Sequence, residues 1–382
     1  MQIKNKFIPL TGALAFALAG FSQAQEQIVK IGHVAPISGN QAHLGKDNEN
    51  GAKMAIEELN AKGVTIGGKK VKFELLAEDD GADPRQGTAA AQKLVDAKVN
   101  GIIGHLNSGT TIPASKIYND AGIPQISPSA TNPTYTKQGF KTAFRVVAND
   151  GQLGGTLGRY AVTTLKAQKI AVIDDRSAYG QGVADEFIKG AKKVGGAQIV
   201  AQEFTNTNAT DFNAILTKIK AKKPDVVFFG GMDAVAGPML RQMKQLGINA
   251  KFMGGDGMCT ESLNTLSGGA MADGQVICAE AGGVVDAQKK VMEDFRANYK
   301  KKYGVEVQIY APYVYDAVMT MVEAMVKAGS AEPAKYLPVL AKLTHKGVTG
   351  NIVFDGKGDI KDATLTLYTY KGGKRDQLAV VK

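Results

Sequence analysis

The sequence predicts an α/β protein in which two parallel β-sheets are each covered by helices on both faces. Three observations carry this. Short apolar strands alternate with helix-period segments along most of the chain, as crossover-connected parallel strands require. The chain has 382 residues, too many for one ordinary core, so two sheets are expected rather than one. Hydrophobic residues make up 44% and charged residues 21%, enough apolar surface for packed cores and too little charge for a disordered chain.

The first 24 residues read differently. Lys4 and Lys6 precede an uncharged apolar stretch over 7–21, and Ser22-Gln23-Ala24 supplies small residues for cleavage after Ala24. This is the pattern of a secretory signal peptide, and the apolar run is shorter than a membrane span. No Cys follows the cleavage site to carry a lipid, so a free exported protein is expected. Its net charge falls from +10 to +8 with the loss of the two lysines. The remaining basic residues are scattered pairs without interleaved aromatics, which argues against a nucleic-acid surface.

From residue 28 each element has a local cause. A strand over 29–34 is followed by a helix over 44–61 with Met54, Ala55 and Leu59 on one face. A strand over 71–76 leads to Asp83-Pro84, an N-cap followed by proline at the first helical position, opening a helix to 97. A strand over 101–106 feeds a helix starting near Ser108, and a strand over 124–127 follows. In the second half, Asp150 is read as capping a helix that reaches 165. Strands over 169–174, 198–204 and 225–229 then alternate with helices over 180–193 and 211–221. The tail changes period. Residues 364–370 alternate polar and apolar after the turn-rich Asp355-Gly356-Lys357-Gly358-Asp359, which predicts an antiparallel ribbon closing the chain.

No enzyme, metal or cofactor motif is present. There is no G-x-S-x-G or Walker A pattern, and Gly151-Gln152-Leu153-Gly154-Gly155 lies inside a helix rather than after a strand. His33, His43, His105 and His345 lack metal-ligand spacing, and His105 reads as a hydrogen-bonded core residue. Asp79-Asp80 and Asp174-Asp175 end strands and read as turn and cap chemistry. Cys259 and Cys278 are the only cysteines of an exported chain. A disulfide between them is expected, with two buried thiols as the alternative.

What remains is a recognition site. Asn107-Ser108-Gly109-Thr110-Thr111 and Ser127-Pro128-Ser129-Ala130-Thr131 each put hydroxyls and main-chain N–H groups at the carboxyl end of a parallel strand. Helix N-termini attract anions, and α/β sheets bind ligands at this edge, so a cradle for a small carboxylate is expected.

Here the chain resembles the periplasmic leucine/isoleucine/valine-binding proteins of ATP-driven amino-acid importers, type I of the two-lobed binding-protein fold. The resemblance is carried by residues 32–39 with Leu44-Gly45, Asp79-Asp80 with Asp83-Pro84, and Gly104-His105-Leu106-Asn107-Ser108. Pro113-Ala114-Ser115, Pro128-Ser129-Ala130-Thr131, Tyr179-Gly180-Gln181-Gly182 and Asp211-Phe212 continue it. Phe252-Met253-Gly254-Gly255-Asp256-Gly257 and Gly356-Lys357-Gly358-Asp359 complete it. It implies two lobes joined by three crossovers, the first 27–149 plus 281–352, the second 150–280 plus 353–382. It also implies a periplasmic monomer without cofactor, partnered by an L-amino acid and by a membrane permease.

By the same resemblance, Ser108 and Thr131 hydroxyls and main-chain N–H groups of the 129–131 turn, Ala130 included, hold the α-carboxylate. The Ser129 carbonyl and Asp256 take the ammonium. Tyr179 closes the cleft and Tyr310 walls the side-chain pocket. Three positions depart from the pattern: Asp256 stands where the best-known members have Glu, and Leu44 and Met232 stand where they have tyrosines. These swaps shorten the acid and soften the pocket. The rival readings are a same-fold protein for an amide, urea, or an aromatic acid or amino acid, and an exported hydrolase.

Overall fold

A computed structural model of the chain describes residues 1–2, 26–284 and 287–381. Apart from those first two residues, the expected export signal lies outside the described residues. Six strands form the first sheet: β1 (Gln27–Ala35), β2 (Thr65–Ile66), β3 (Lys69–Asp79), β4 (Gly101–Gly104), β5 (Gln125–Ser127) and β6 (Ala143–Arg145). Their spatial order is β2-β3-β1-β4-β5-β6. All pairs are parallel except the short antiparallel β2–β3 contact.

The intervening helices are α1 (Ala42–Lys62), α2 (Pro84–Asp96), α3 (Ser108–Asp120) and the single turn α4 (Thr134–Lys137). The Asp83 side chain accepts the N–H groups of Arg85 and Gln86, so α2 starts where the Asp-Pro pair requires. Strand β4 stops at Gly104, two residues earlier than its apolar run suggests. The His105 ring lies within hydrogen-bond distance of Asp80 (3.0 Å) and Tyr118 (3.0 Å), all three buried. The expected hydrogen-bonded core histidine is therefore what the fold contains.

The second sheet contains β7 (Lys169–Asp174), β8 (Gln198–Phe204), β9 (Val226–Gly230), β10 (Lys251–Gly254) and β11 (Val276–Glu280). Its helices are α5 (Asp150–Thr163), α6 (Ala178–Val194), α7 (Asn213–Lys222), α8 (Asp233–Gln245) and the turn α9 (Leu263–Leu266). Helix α5 corrects the sequence reading: its cap is Asn149, which accepts from Gln152 N while Gln152 reaches back, and Asp150 is the first helical residue. The glycines of 151–155 serve helix packing. A Cβ on Gly154 would sit 2.5 Å from the Val183 carbonyl, so only glycine lets α5 approach α6 this closely.

The chain then returns to the first lobe as α10 (Ala287–Tyr303), α11 (Ala311–Ala328) and α12 (Pro333–Leu340), with α11 packed along α1. A hairpin of β12 (Thr344–Lys346) and β13 (Asn351–Val353), which the sequence reading did not anticipate, precedes the last passage. Strands β14 (Leu365–Lys371) and β15 (Lys374–Val381) form the expected antiparallel ribbon. They extend the second sheet to the order β15-β14-β11-β10-β9-β7-β8. The chain passes between sheets after β6, after β11 and after β13, and the first two passages are bonded by Ala148 N to the Ala281 carbonyl at 2.9 Å. Among the described residues no helix is long and apolar enough to cross a membrane.

Candidate ligand site between the lobes

The carboxyl ends of β4 and β5 supply one wall. Ser127 Oγ donates to the His105 carbonyl (3.0 Å) and accepts the Ala130 N–H (3.0 Å). Ser129 Oγ donates to the Leu106 carbonyl at 3.0 Å. These bonds fold 127–131 against 105–108. Ser108 opens α3, where Asn107 makes no side-chain cap bond, and its Oγ accepts the Asn132 N–H at 3.2 Å. Thr131 Oγ1 is buried beside the Asp150 carboxyl and makes no well-formed hydrogen bond among the described residues, a weakly met demand at the place where a carboxylate is expected.

The second lobe supplies the opposite wall. Ser177 caps α6 by accepting the Gly180 N–H, which fixes Tyr179 in the first turn. The turn 256–258 after β10 carries Asp256. Asp256 accepts from Tyr179 OH (2.8 Å) and from Tyr310 OH (3.0 Å), the second hydroxyl coming from the first lobe. Gly257 N donates to Tyr179 OH at 2.9 Å. A Cβ on Gly257 would lie 2.6 Å from Met232 Sδ and 2.8 Å from Tyr179 Cε1, so the turn reaches the tyrosine only through glycine.

The electrostatics of this wall are those of stranded acids. Asp256 is buried, and burial pushes its carboxyl up to about 6 against the pull of the two tyrosine hydroxyls. Asp150, which sequence reading took only as a cap, is fully buried with both carboxylate oxygens unpartnered. Burial pushes it up to about 8; the nearby Thr131 hydroxyl opposes this and the charge of Asp256 adds to it. Two buried acids that feel each other, with no salt-bridge partner among the described residues and only the more distant charge of Arg145 acting on Asp150, make a site for a cation.

Leu106, Asn107, Ser108, Ser129, Tyr179, Met232 and Tyr310 line a cavity of about 10 Å³ at this point, room for about one water. An amino acid does not fit until the walls part. Of the sequence-predicted residues, five line the cavity, and Asp256 is bonded to two of them. Thr131 is buried on the adjoining turn. Leu44 is buried in the core and does not wall the cavity in this arrangement. Ala130 uses its N–H on Ser127 Oγ and its carbonyl on Arg145 Nη1 (2.9 Å), so both main-chain groups are already satisfied internally. A larger cavity of about 610 Å³ lies beside the passages between the sheets and contains none of these residues.

Residues 28–375 match a family model described as periplasmic binding protein. The chain belongs to the periplasmic binding protein family. It is 37% identical to an amino acid binding protein of Pseudomonas aeruginosa over 374 residues, covering 96% of this chain and 98% of that protein. It is 36% identical to the leucine-specific-binding protein of Salmonella typhimurium over 362 residues, covering 94% and 95%. Among solved structures it resembles the branched-chain amino acid transporter substrate-binding protein of Streptococcus pneumoniae in complex with isoleucine. The TM-score is 0.83 at 30% identity, over 93% of this chain and all of that one.

Two buried charges hold the binding protein's site in place. Asp47 on α1 accepts the N–H groups of Gln308 (3.0 Å), Ile309 (3.2 Å), Tyr310 (2.8 Å) and Ala311 (2.9 Å). It thereby fixes the turn that aims Tyr310 at Asp256. Asp47→Asn keeps the shape but replaces one of the two accepting oxygens with an NH2 that cannot accept, so at least one of these N–H groups loses its bond and affinity for ligand should fall by roughly fivefold or more. Titration calorimetry checks this, and the loss should disappear when Tyr310 is already phenylalanine.

Arg145, fully buried, is the second. It donates to Asp359 through Nε (2.9 Å) and Nη2 (2.6 Å), and through Nη1 to the carbonyls of Ala130 (2.9 Å) and Asn132 (3.0 Å). One side chain thus ties the serine-threonine turn to the third passage between lobes. The expected disulfide is formed between Cys259 and Cys278, joining the Asp256 turn to β11.

Proposed function

We propose that this chain is a periplasmic solute-binding protein that captures branched-chain and other apolar L-amino acids between its lobes. It delivers them in the closed form to the permease of an ATP-driven importer, as a monomer and without chemistry of its own. The reading rests on one observation: Asp256, buried, is held by tyrosine hydroxyls from opposite lobes, and among the described residues no side-chain cation pairs with it. An ammonium supplies the missing charge, and the buried Thr131 hydroxyl with Ser108 and the start of α3 answers the carboxylate. Met232 and Tyr310 give the side chain an apolar wall. The names of the relatives, amino acid binding and leucine-specific-binding, support the ligand class.

In this reading the lobes are 27–149 plus 281–352 and 150–280 plus 353–382. The ligand touches both lobes only when they close, so its differential affinity shifts the population toward the closed form.

The acids supply a test. In this closed arrangement burial pushes Asp256 up to about 6 and Asp150 up to about 8. A neighbouring ammonium favours their charged forms, so their values fall and protons leave on binding. Calorimetry of L-leucine binding in buffers of different ionisation heat should show proton release at pH 6 and 7 and none at pH 9. Affinity should decline as pH drops below about 8, where Asp150 takes up its proton, and more steeply below about 6, where Asp256 does. Binding without proton release at any pH would remove both acids from the ammonium site.

A further inference from the structure

Outside the contacts assigned to the ligand, the two lobes also meet through Asn132 Nδ2 on the Ala178 carbonyl, Ser262 Oγ on Gln308, and a pair that can titrate. His43, in the first turn of α1, places Nε2 2.7 Å from Oδ2 of Asp233, the first residue of α8 in the other lobe. Asp233 is fully buried, whereas the His43 side chain is 26% exposed. Thr260 Oγ1 also donates to Asp233 Oδ2, at 2.7 Å, and Asp233 Oδ1 has no hydrogen-bond partner. Parting the lobes removes one of the two side-chain donors on this carboxylate, and the only one able to carry charge. Asn40, just before α1, bonds the second lobe at the Thr207 carbonyl and Asn208, but neither bond involves a titrating group.

We propose that His43 and Asp233 form a proton-dependent latch that holds the lobes closed and so sets how tightly the ligand is retained. This rests on the cleft-closure reading above and adds to it a residue pair that does not line the cavity. The groups facing the imidazole are Asp233 from α8 and Asp47 one turn along α1. Those close enough to interact with Asp233 include the phenols of Tyr310 and Tyr370. Burial by itself lowers the His43 pKa; the bond to Asp233 and the charges of Asp233 and Asp47 outweigh it and raise the value above 6.5. In an open cleft the ring loses Asp233 and returns toward its ordinary value. The closed form therefore binds the proton more tightly. The stabilisation is complete below the ordinary histidine value and is lost as pH rises through the raised one.

The test measures L-leucine affinity by calorimetry from pH 6 to 8.5 for the native chain, His43→Gln and His43→Lys. Thermal melting establishes that each variant is folded. Asp256 and Asp150 titrate in all three, so the ratio of native to variant affinity isolates His43. The native advantage over His43→Gln should shrink by about threefold or more across this range, as the raised His43 loses its proton. His43→Lys, charged throughout, should lose no affinity relative to His43→Gln as pH rises. A native-to-Gln ratio constant with pH overturns the latch while leaving the amino-acid reading standing. If no apolar amino acid binds, the function reading fails, and scattering of the ligand-free chain judges the latch alone. The native radius should then grow from pH 6 to 8.5 while that of His43→Gln does not, and equal behaviour of the two overturns it.

Discussion

Asp256→Ala should weaken L-leucine binding by about 30-fold or more, equivalent to about 2 kcal/mol, the scale of a lost charge-assisted hydrogen bond. The effect is large because the acid is buried, so no water replaces it at low cost, and because it is the residue that the tyrosines of both lobes address. Removing it leaves the ligand's ammonium against two phenols and the neighbouring Asp150. Asp256→Asn preserves the acceptor geometry for at least one phenol and removes only the charge. It should therefore fold like the native chain yet recover little of the affinity. Calorimetry on the three proteins, with melting curves as control, checks both statements.

The largest expected effect on stability belongs to Arg145. Arg145→Met leaves Asp359 without its cation, with only the Thr136 hydroxyl and the Asn149 amide still donating to it, and takes from the Ala130 and Asn132 carbonyls the donor they share. Removing one member of a buried ion pair costs about 3–5 kcal/mol, because the remaining charge is left uncompensated. Denaturant unfolding should show a loss of this size. Adding Asp359→Asn should cost less than its effect alone, since the two residues act as one unit. Ligand affinity should fall as well, since the 130–132 turn that carries Thr131 loses its anchor to the third passage. A stability loss below about 1 kcal/mol would mean the pair is relaxed by solvent at Asp359, whose side chain is 19% exposed.

Most of the architecture was legible because its signals are local. Strand and helix periods, the Asp83-Pro84 start and the alternating tail each act within about ten residues, and the elements formed close to where those signals lie. The errors have local causes too. Asn149 and Asp150 are adjacent cap formers, and the reciprocal bond between Asn149 and Gln152 decides between them. That box was present in the sequence and could have been read. Asp150, freed from capping, became a buried acid that feels the charge of Asp256.

Leu44 shows the reverse problem. A leucine at helical spacing fits a core position as well as a pocket wall, and here Leu44 is buried without lining the closed cavity, which leaves its part in the pocket to be tested with ligand. The supporting charges were not legible at all. Asp47 meets residues 261 to 264 positions away, Arg145 reaches Asp359 across 214, and His43 reaches Asp233 across 190. No periodicity links such partners; only the folded topology brings them together.

The zwitterion grip is tested most directly by a comparison of two ligands differing at one group. L-leucine and its α-hydroxy analogue share the carboxylate and the side chain, but the analogue carries a hydroxyl in place of the ammonium. Calorimetric titration should find the analogue weaker by about 30-fold or more on the native chain, with the gap largely closed on Asp256→Ala. Equal affinity of the two ligands for the native chain would contradict the account, because the buried acid would then have no part in recognition.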